Sequence, residues 1–305
     1  FRSGGAQIAT QFQYDPLPLA PHNLGWQTHY LCLVHAPAMT MSFIIANEAF
    51  HRLPRFETYG TYPESNRFGE FRVCYEEDLS EWVTPTAFLY SNTTATPPPV
   101  PDRLERIAGY GSSPVVRYPG TGAYFLDRLA PGHWRIEVYP DAVWVGDPYG
   151  QPSFDRLVSR LLWRTWPVEI DLPDLGHAFT VEPLDAGNVH CPEVVDGAFP
   201  VRPGVYHLRR IDALEVELPA TVGRLGLREF VVPPKGEGLP APDVRHDAFS
   251  TWPEGKSVPI RVTVAYERTP ESVILYVQEP DRGTAFRPLA MAPASPYIYE
   301  ASVPA

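Results

Sequence analysis

The chain has 305 residues, which is more than one ordinary β-sandwich requires, so we expect more than one hydrophobic core. Hydrophobic residues make up 44% and aromatic residues 12%, and this composition excludes the disordered class. The net charge of -11 argues against binding to nucleic acid or to an anionic membrane surface, because both require a basic footprint, and an acidic surface also simply keeps a protein soluble.

Proline, cysteine and apolar runs limit the architecture further. The 36 prolines are spread along the chain, which predicts many short strands and no long helix after residue 52. Cys32, Cys74 and Cys191 are far apart and odd in number, so we expect buried thiols, with no disulfide framework, no metal and no cofactor. No apolar run reaches 18 residues and no leader precedes Phe1, which indicates no membrane span and a processed or excised chain.

Residues 1–55 are predicted to form one β/α unit. Alternation in Gly4–Pro16 predicts a strand, and the loop after it contains Asn23 and Trp26, side chains typical of a ligand rim and equally of a packed loop. Pro37–Leu53 is predicted to be a helix, because a proline begins it, apolar residues recur at helical spacing and Pro54 ends it. One β/α unit cannot bury its own apolar face, so it requires a partner surface.

Residues 56–102 are predicted to be an irregular excursion that ends in a linker. The run TATPPPVP favours extended polyproline geometry, and we place a domain border there. The acidic residues of this excursion lack the ligand spacing of a calcium loop and are predicted to form a solvated helix turn. They are Glu76, Glu77, Asp78 and Glu81.

Residues 103–224 are predicted to form a β-sandwich. Short alternating runs such as GAYFLDRL, WPVEIDLPD, AFTVEPLD and GVYHLRRI are separated by turn residues at sandwich spacing. The run HWRIEVY predicts one buried face, because its side chains alternate. Trp134, Ile136 and Val138 point to one face, and His133, Arg135, Glu137 and Tyr139 point to the other.

Residues 225–305 are predicted to form an immunoglobulin-like β module. Its clearest strands are SVPIRVTVAY, ESVILYVQE and YIYEASVP, fewer than the usual seven, so the module is cut short or pairs with a strand from elsewhere. The fold class is therefore mainly β: a terminal β/α unit, the remnant of a barrel, followed by two antiparallel β-sandwich modules. An unpaired edge at residues 297–303 would favour a structural assembly subunit.

Several long runs carry a resemblance to a known group of proteins. They are TQFQYDPLPLAPHNLGWQTHYLCLVHAPAMTMSFIIANEAFHRLPR, YGTYPESNRFGEFRVCYEEDLSEWVTPTAFLYSN, GAYFLDRLAPGHWRIEVYPDAVWVGDPYG, WPVEIDLPDLG and FPVRPGVYHLRR. With them the chain resembles large secreted bacterial proteins associated with polysaccharide breakdown, which are similar to glycoside hydrolases with a (β/α)₈ barrel. The resemblance covers most of the chain in order and includes no catalytic motif.

The resemblance implies a role for the N-terminal unit. Its strand would be the final strand of the barrel and its helix the closing helix, while the rest of the barrel is missing from the chain. Ligands of such barrels bind at the C-terminal ends of the strands, which places the substrate rim in the loop after the strand. The implied substrate-binding residues are Tyr14, Asp15, Asn23 and Trp26.

The catalytic residues cannot be assigned from the sequence. Glycoside hydrolysis requires two carboxylates that flank the bond, and in such barrels they come from earlier strands. Glu48, Glu64 and Glu70 are therefore interpreted as structural. The chain also lacks a GxSxG elbow, a Walker loop, an HExxH motif and a GxGxxG turn, so whether it is an enzyme stays open and the isolated chain is expected to lack the catalytic pair.

Three hypotheses follow for the function. The first is an accessory C-terminal part of a secreted, periplasmic or cell-surface glycoside hydrolase, which braces the barrel, binds polysaccharide or oligosaccharide and pairs with the remaining barrel or a neighbouring chain. The second is a noncatalytic carbohydrate-binding or adhesion protein that stacks Trp144, Trp163 or Trp166 on glycan rings, although these residues fit a sandwich core better. The third is the structural assembly subunit.

Overall fold

The computed structural model of the protein describes residues 34–60, 64–146, 157–232, 235, 241–246, 255–278 and 286–304. Strands hold 44% of it, well above the roughly 20–25% usual in globular proteins. The described residues contain one α-helix. The predicted mainly β class is therefore confirmed. No helix in the described part of the chain is long and apolar enough to cross a membrane.

The helix α1 spans Pro37–Arg52, and a short 3₁₀ turn spans Pro101–Arg103. The strands are β1 (Asn66–Phe68), β2 (Phe71–Cys74), β3 (Leu79–Val83), β4 (Ala87–Tyr90), β5 (Arg106–Gly109), β6 (Val116–Arg117), β7 (Tyr124–Ala130), β8 (His133–Val138), β9 (Asp141–Gly146), β10 (Leu157–Leu162), β11 (Trp166–Ile170), β12 (Phe179–Pro183), β13 (Ala198–Val201), β14 (Gly204–Arg210), β15 (Thr221–Val222), β16 (Leu225–Gly226), β17 (Asp243–His246), β18 (Val258–Ala265), β19 (Ile274–Gln278), β20 (Phe286–Ala290), β21 (Ala292–Ser295) and β22 (Ile298–Val303).

The helix α1 lies against β3, β4 and β5, as its apolar stripe requires. Met41 and Ile45 are buried in this contact. Leu53 follows the helix in an extended conformation, because Pro54 disfavours helical geometry in the residue before it. The predicted helix is therefore confirmed, with its end one residue earlier.

Nine strands form the main sheet, in the order β1-β2-β3-β4-β5-β7-β8-β14-β12. The strands β4 and β5 are parallel, and the other paired neighbours in this sheet are antiparallel. Parallel neighbours require a crossover connection, and the proline-rich segment between β4 and β5 provides it. Strands on both sides of the border predicted at residue 102 thus lie in one sheet.

One face of the nine-stranded sheet packs against a three-stranded sheet of order β13-β11-β6. Tyr124, Trp134 and Ile136 of the large sheet share one hydrophobic cluster with Val168 and Phe199 of the small one. Side chains that interdigitate between two facing sheets are typical of a β-sandwich. The alternation read from HWRIEVY therefore places Trp134 and Ile136 correctly on a buried face.

The opposite face of the large sheet is polar and also buried around β8. His133, Arg135 and Glu137 are each no more than 2% exposed. His133 bonds the carbonyl of Leu214, and Arg135 bonds the carbonyl of Leu227, so the chain after β14 folds back over this face. The expectation that only one face of this strand is buried is therefore wrong.

The described residues divide into two compact units. One comprises the described residues up to 142 and from 163 to 232, and the other comprises 143–146, 157–162 and the described residues from 235 onward. The second unit has a four-stranded sheet of order β17-β18-β22-β21, a two-stranded sheet of β19 and β20 and its own core, to which Ile260 and Val264 belong. The strand β22 pairs on both sides, so the unpaired edge predicted at residues 297–303 is not found.

Candidate functional site

The polar face of the large sheet carries a row of opposite charges across three neighbouring strands. Arg106 on β5 lies opposite Asp127 on β7, and Asp127 lies opposite Arg135 on β8. Directly opposed residues share one face of a sheet, with Cβ atoms about 4.5–5.5 Å apart. The arginine–carboxylate pocket, as we name this site, has Asp127, Arg135 and Glu137 as its floor, and Arg106, 46% exposed, lies at the edge of this floor beside the mouth.

Arg135 is buried in the floor of the pocket, where hydrogen bonds hold it in place. It is 1% exposed, and its guanidinium donates to a Glu137 carboxylate oxygen at 2.9 Å, to the Leu227 carbonyl at 3.0 Å and to the Glu229 carbonyl at 2.9 Å. Each arm of the guanidinium therefore has a partner, which is what a buried cation requires. These bonds hold the segment after β16 on the sheet.

Glu137 has one satisfied and one unsatisfied carboxylate oxygen. Its Oε2 accepts from Arg135, while its Oε1 is buried without a hydrogen-bond partner among the described residues. Burial raises the pKa of Glu137, and the charge of Arg135 opposes that rise. A buried acceptor without a donor is costly, so this oxygen favours any donor that reaches it.

Asp127 is the carboxylate that solvent reaches, with 21% of its side chain exposed. Its Oδ1 lies 4.0 Å from Nε of Arg106, which is too long for a hydrogen bond. Burial raises the pKa of Asp127, and the charges of Arg106 and Arg135 oppose this. Asp127 thus retains acceptor capacity at the accessible part of the floor.

The walls of the pocket come from four directions and are largely apolar. Phe125 precedes Asp127 by two residues on the same face of β7, and Tyr139 follows β8; their rings lie 5.3 Å apart at 56°. Ile44 of α1 forms one side, and the hairpin from Val222 to Leu225 forms another. The cavity has a volume of about 370 Å³ and is open to solvent on one side, and this volume is within the range of small-ligand sites.

The hairpin wall depends on a glycine at its turn. Gly223 has φ +59, a left-handed conformation that side chains other than glycine adopt at a cost. The chain reverses there between β15 and β16, which places Arg224 at the mouth of the pocket. Arg135 bonds the backbone just after this hairpin, so the floor and the wall are connected.

The two carboxylates of the pocket differ in accessibility. Asp127 and Glu137 project from adjacent strands on one face of the sheet. Glu137 is also held by Arg135 and is 2% exposed, so it cannot approach a ligand freely. What remains is a recess with acceptors below and aromatic rings beside them.

The residues that the resemblance implied for substrate binding cannot be compared with this pocket. Tyr14, Asp15, Asn23 and Trp26 all lie outside the described residues. Their assignment stays a prediction.

The acidic residues singled out in the sequence do not line the pocket. Glu76, Glu77 and Asp78 are exposed in the turn between β2 and β3, which is a hairpin and not the predicted helix turn. Glu48 forms an ion pair with Arg52, and Glu70 accepts from the Trp82 indole. Glu81 is wholly buried in β3, where it accepts from Thr94, Thr96 and Arg72, so its prediction as part of a solvated helix turn is wrong.

The tryptophans and cysteines are only partly as predicted. Trp144 is 45% exposed and fills no core, whereas Trp166 is half-buried and donates to Asp141 at 2.5 Å. Cys74 is buried, but Cys191 is exposed, which corrects its expected burial; Cys32 lies outside the described residues. No cluster of three or more potential metal ligands occurs in the described part of the chain.

The sequence did contain a signal for the pocket. In YFLDRLA and HWRIEV the positions that alternate with core residues hold Asp127, Arg135 and Glu137, so charged side chains of both signs recur on one face of consecutive strands. Such a face ordinarily lies in water. Its burial depends on a later segment of the chain, and no local pattern encodes that.

No family model matches the chain, and neither a curated protein nor a solved structure matches it.

Proposed function

We propose that the chain is a noncatalytic, C-terminal accessory part of a secreted glycoside hydrolase, and that its arginine–carboxylate pocket binds a sugar unit of the polysaccharide. The observation that carries the proposal is the combination of the Phe125 and Tyr139 rings with the partly exposed carboxylate of Asp127. A sugar ring presents apolar C–H faces and a belt of hydroxyl donors. Both sets of groups find complementary chemistry in this recess.

The pocket volume suits one or two sugar units. About 370 Å³ accommodates a small ligand, whereas a long glycan would have to cross the mouth. Asp127 is the accessible acceptor for a hydroxyl, and the half-buried Phe125 offers a ring for stacking. We expect weak, selective binding, because a single small recess buries little area.

The finer architecture is part of the same proposal. Residues 1–55 would close a (β/α)₈ barrel supplied elsewhere, with Tyr14, Asp15, Asn23 and Trp26 on its substrate rim. The part of the predicted module that lies in the second unit, from residue 235 onward, would be immunoglobulin-like. Secretion or cell-surface attachment follows from a polysaccharide substrate, which cells do not import intact. The resemblance of the sequence runs supports these points.

The proposal is tested by measuring binding and turnover together. The chain would be applied to a glycan array, and each positive glycan titrated by calorimetry while released sugar is followed. We expect binding without release of sugar. Asp127→Asn should weaken binding, because the amide replaces a carboxylate acceptor at nearly constant volume.

Asp171→Asn is the matched control. Asp171 is exposed just after β11, in the other sheet, and does not line the pocket. Equal loss of binding in both variants, or release of sugar by the chain, would contradict the proposal.

A second candidate function is adhesion to a glycan surface through the second unit. Tyr276 on β19 and Phe286 on β20 are 60% and 59% exposed, and the strand register places them diagonally on one face. Two exposed rings on one sheet face form a flat platform. If Tyr276→Ala abolishes binding to insoluble polysaccharide while Asp127→Asn leaves it unchanged, this alternative is favoured.

A further inference from the structure

The arginine–carboxylate pocket has incompletely neutralised cations at its mouth. Arg106 is 46% exposed and only approaches Asp127 at 4.0 Å. Arg224 is exposed at the turn of the hairpin and forms none of the ion pairs found among the described residues. Two guanidinium groups therefore border one small recess.

The cation inside the pocket is neutralised, in contrast. Arg135 is saturated by the Glu137 carboxylate and two backbone carbonyls. The accessible chemistry therefore changes with depth: Asp127 offers an acceptor on the floor, while Arg106 and Arg224 offer donors with positive charge at the mouth.

We propose that the pocket selects a sugar unit that carries a carboxylate, as uronic acids do; this inference rests on the proposed binding of saccharide. The hydroxyl groups of the sugar donate to Asp127 on the floor, and its carboxylate lies between Arg106 and Arg224 at the mouth. Guanidinium groups match a carboxylate in both charge and geometry. A neutral sugar would leave both guanidinium groups without that partner.

The net charge of -11 does not prevent this recognition. Exposed charges are screened beyond a Debye length of about 8 Å at physiological salt, so the nearby arginines dominate over remote acidic groups.

The test compares three probes of one carbon skeleton: trigalacturonic acid, its methyl ester and the neutral galactose trimer. Calorimetry at physiological salt should show the acid bound about fivefold to tenfold more tightly than the ester, the effect expected of two partly exposed ion pairs. Raised salt should remove most of that difference.

Arg224→Gln should remove about half of the binding free energy gained by the acid, which leaves roughly a twofold to threefold preference for the acid over the ester, and it should leave the ester affinity unchanged. Arg228→Gln is the matched control, since Arg228 is exposed a few residues later and does not line the pocket. Neither substitution removes a buried group, so both variants should fold.

The outcomes separate the two proposals. Equal affinity for acid and ester, or an unchanged acid affinity in Arg224→Gln, would overturn the selection of a carboxylate while leaving saccharide binding intact. If none of the three probes and no glycan on the array binds the chain, both proposals fail.

Discussion

At the residue scale, the protein places ionisable groups where neighbouring strands bring them together. Arg135 and Glu137 are two residues apart on β8 and both are 2% exposed or less. A buried ion pair adds little net stability, but removal of one partner leaves an uncompensated charge. The pair therefore favours this one arrangement of the polar face over others. The bonds from Arg135 to backbone carbonyls also hold the wall of the pocket in place.

Arg135→Met is expected to destabilise the protein by about 3–5 kcal/mol. The substitution leaves the buried carboxylate of Glu137 without its cation and the Leu227 and Glu229 carbonyls without their hydrogen-bond donor. Urea unfolding followed by circular dichroism measures the loss. Arg117→Met is the control: Arg117 pairs with Glu169 on the surface, and its loss should cost less than about 1 kcal/mol. Equal costs in the two variants would contradict the assigned role.

The histidine pair predicts how stability depends on pH. Burial, and secondarily His133, lower the pKa of His207 below its ordinary value of 6.5. Folded His207 therefore binds its proton less readily than the unfolded chain does. Its stabilising contribution is complete above pH 6.5 and is lost as the pH falls below that value.

His207→Asn should flatten this dependence. Urea midpoints measured between about pH 5 and pH 8 compare the variant with the parent. His177→Asn is the control, because His177 is exposed and lies outside the pair. A parent whose stability does not change over this interval would contradict the assignment.

At the element scale, the short hairpin of β15 and β16 determines whether the recess exists. It consists of two two-residue strands, and an isolated hairpin of this size is not stable in water. Arg135 anchors its C-terminal side, Gly226 donates to Glu229 and Leu227 donates to the Ala220 carbonyl. The wall of the pocket is thus held by the sheet beneath it.

Gly223→Ala is expected to weaken ligand binding with little change in global unfolding. No atom lies within 4 Å of a Cβ added there, so the substitution acts only through the φ of +59, at about 1–2 kcal/mol. Gly255→Ala is the matched control, because it has φ +67 and equally open surroundings in the second unit. Titration of a bound glycan measures the effect, and equal losses would count against the hairpin.

At the scale of the whole molecule, the described residues contain a hydrophobic core in each of the two units. Ile136 belongs to the cluster between the nine-stranded and three-stranded sheets, and Val262 belongs to the cluster of the second unit. The second unit also includes residues 143–146 and 157–162, so the chain leaves the first unit and returns to it. The second unit is therefore built from two separate stretches of the sequence.

Ile136→Ala should destabilise the first unit by about 2–5 kcal/mol, and Val262→Ala should destabilise the second by a smaller amount, because fewer methyl groups are removed. Calorimetry measures which transition each substitution lowers. Two transitions that respond separately are the expected result, and a single transition lowered alike by both would contradict two independent cores.

The sequence by itself determined the elements whose cause is local. The helix of Pro37–Arg52 follows from a proline at its start, apolar spacing and Pro54 after it, and strands such as β8 and β18 follow from alternation. It also assigned Trp134 and Ile136 to a core face. These features depend on neighbours within a few residues.

Only the tertiary structure decided how these elements combine. The parallel pairing of β4 with β5, the central place of β22 and the burial of Glu81 each depend on residues far along the chain. The candidate site likewise depends on contacts between residues far apart in the chain. Arg135 is buried because the backbone of Leu227, 92 residues later, folds over it, and no local pattern specifies a contact across that separation.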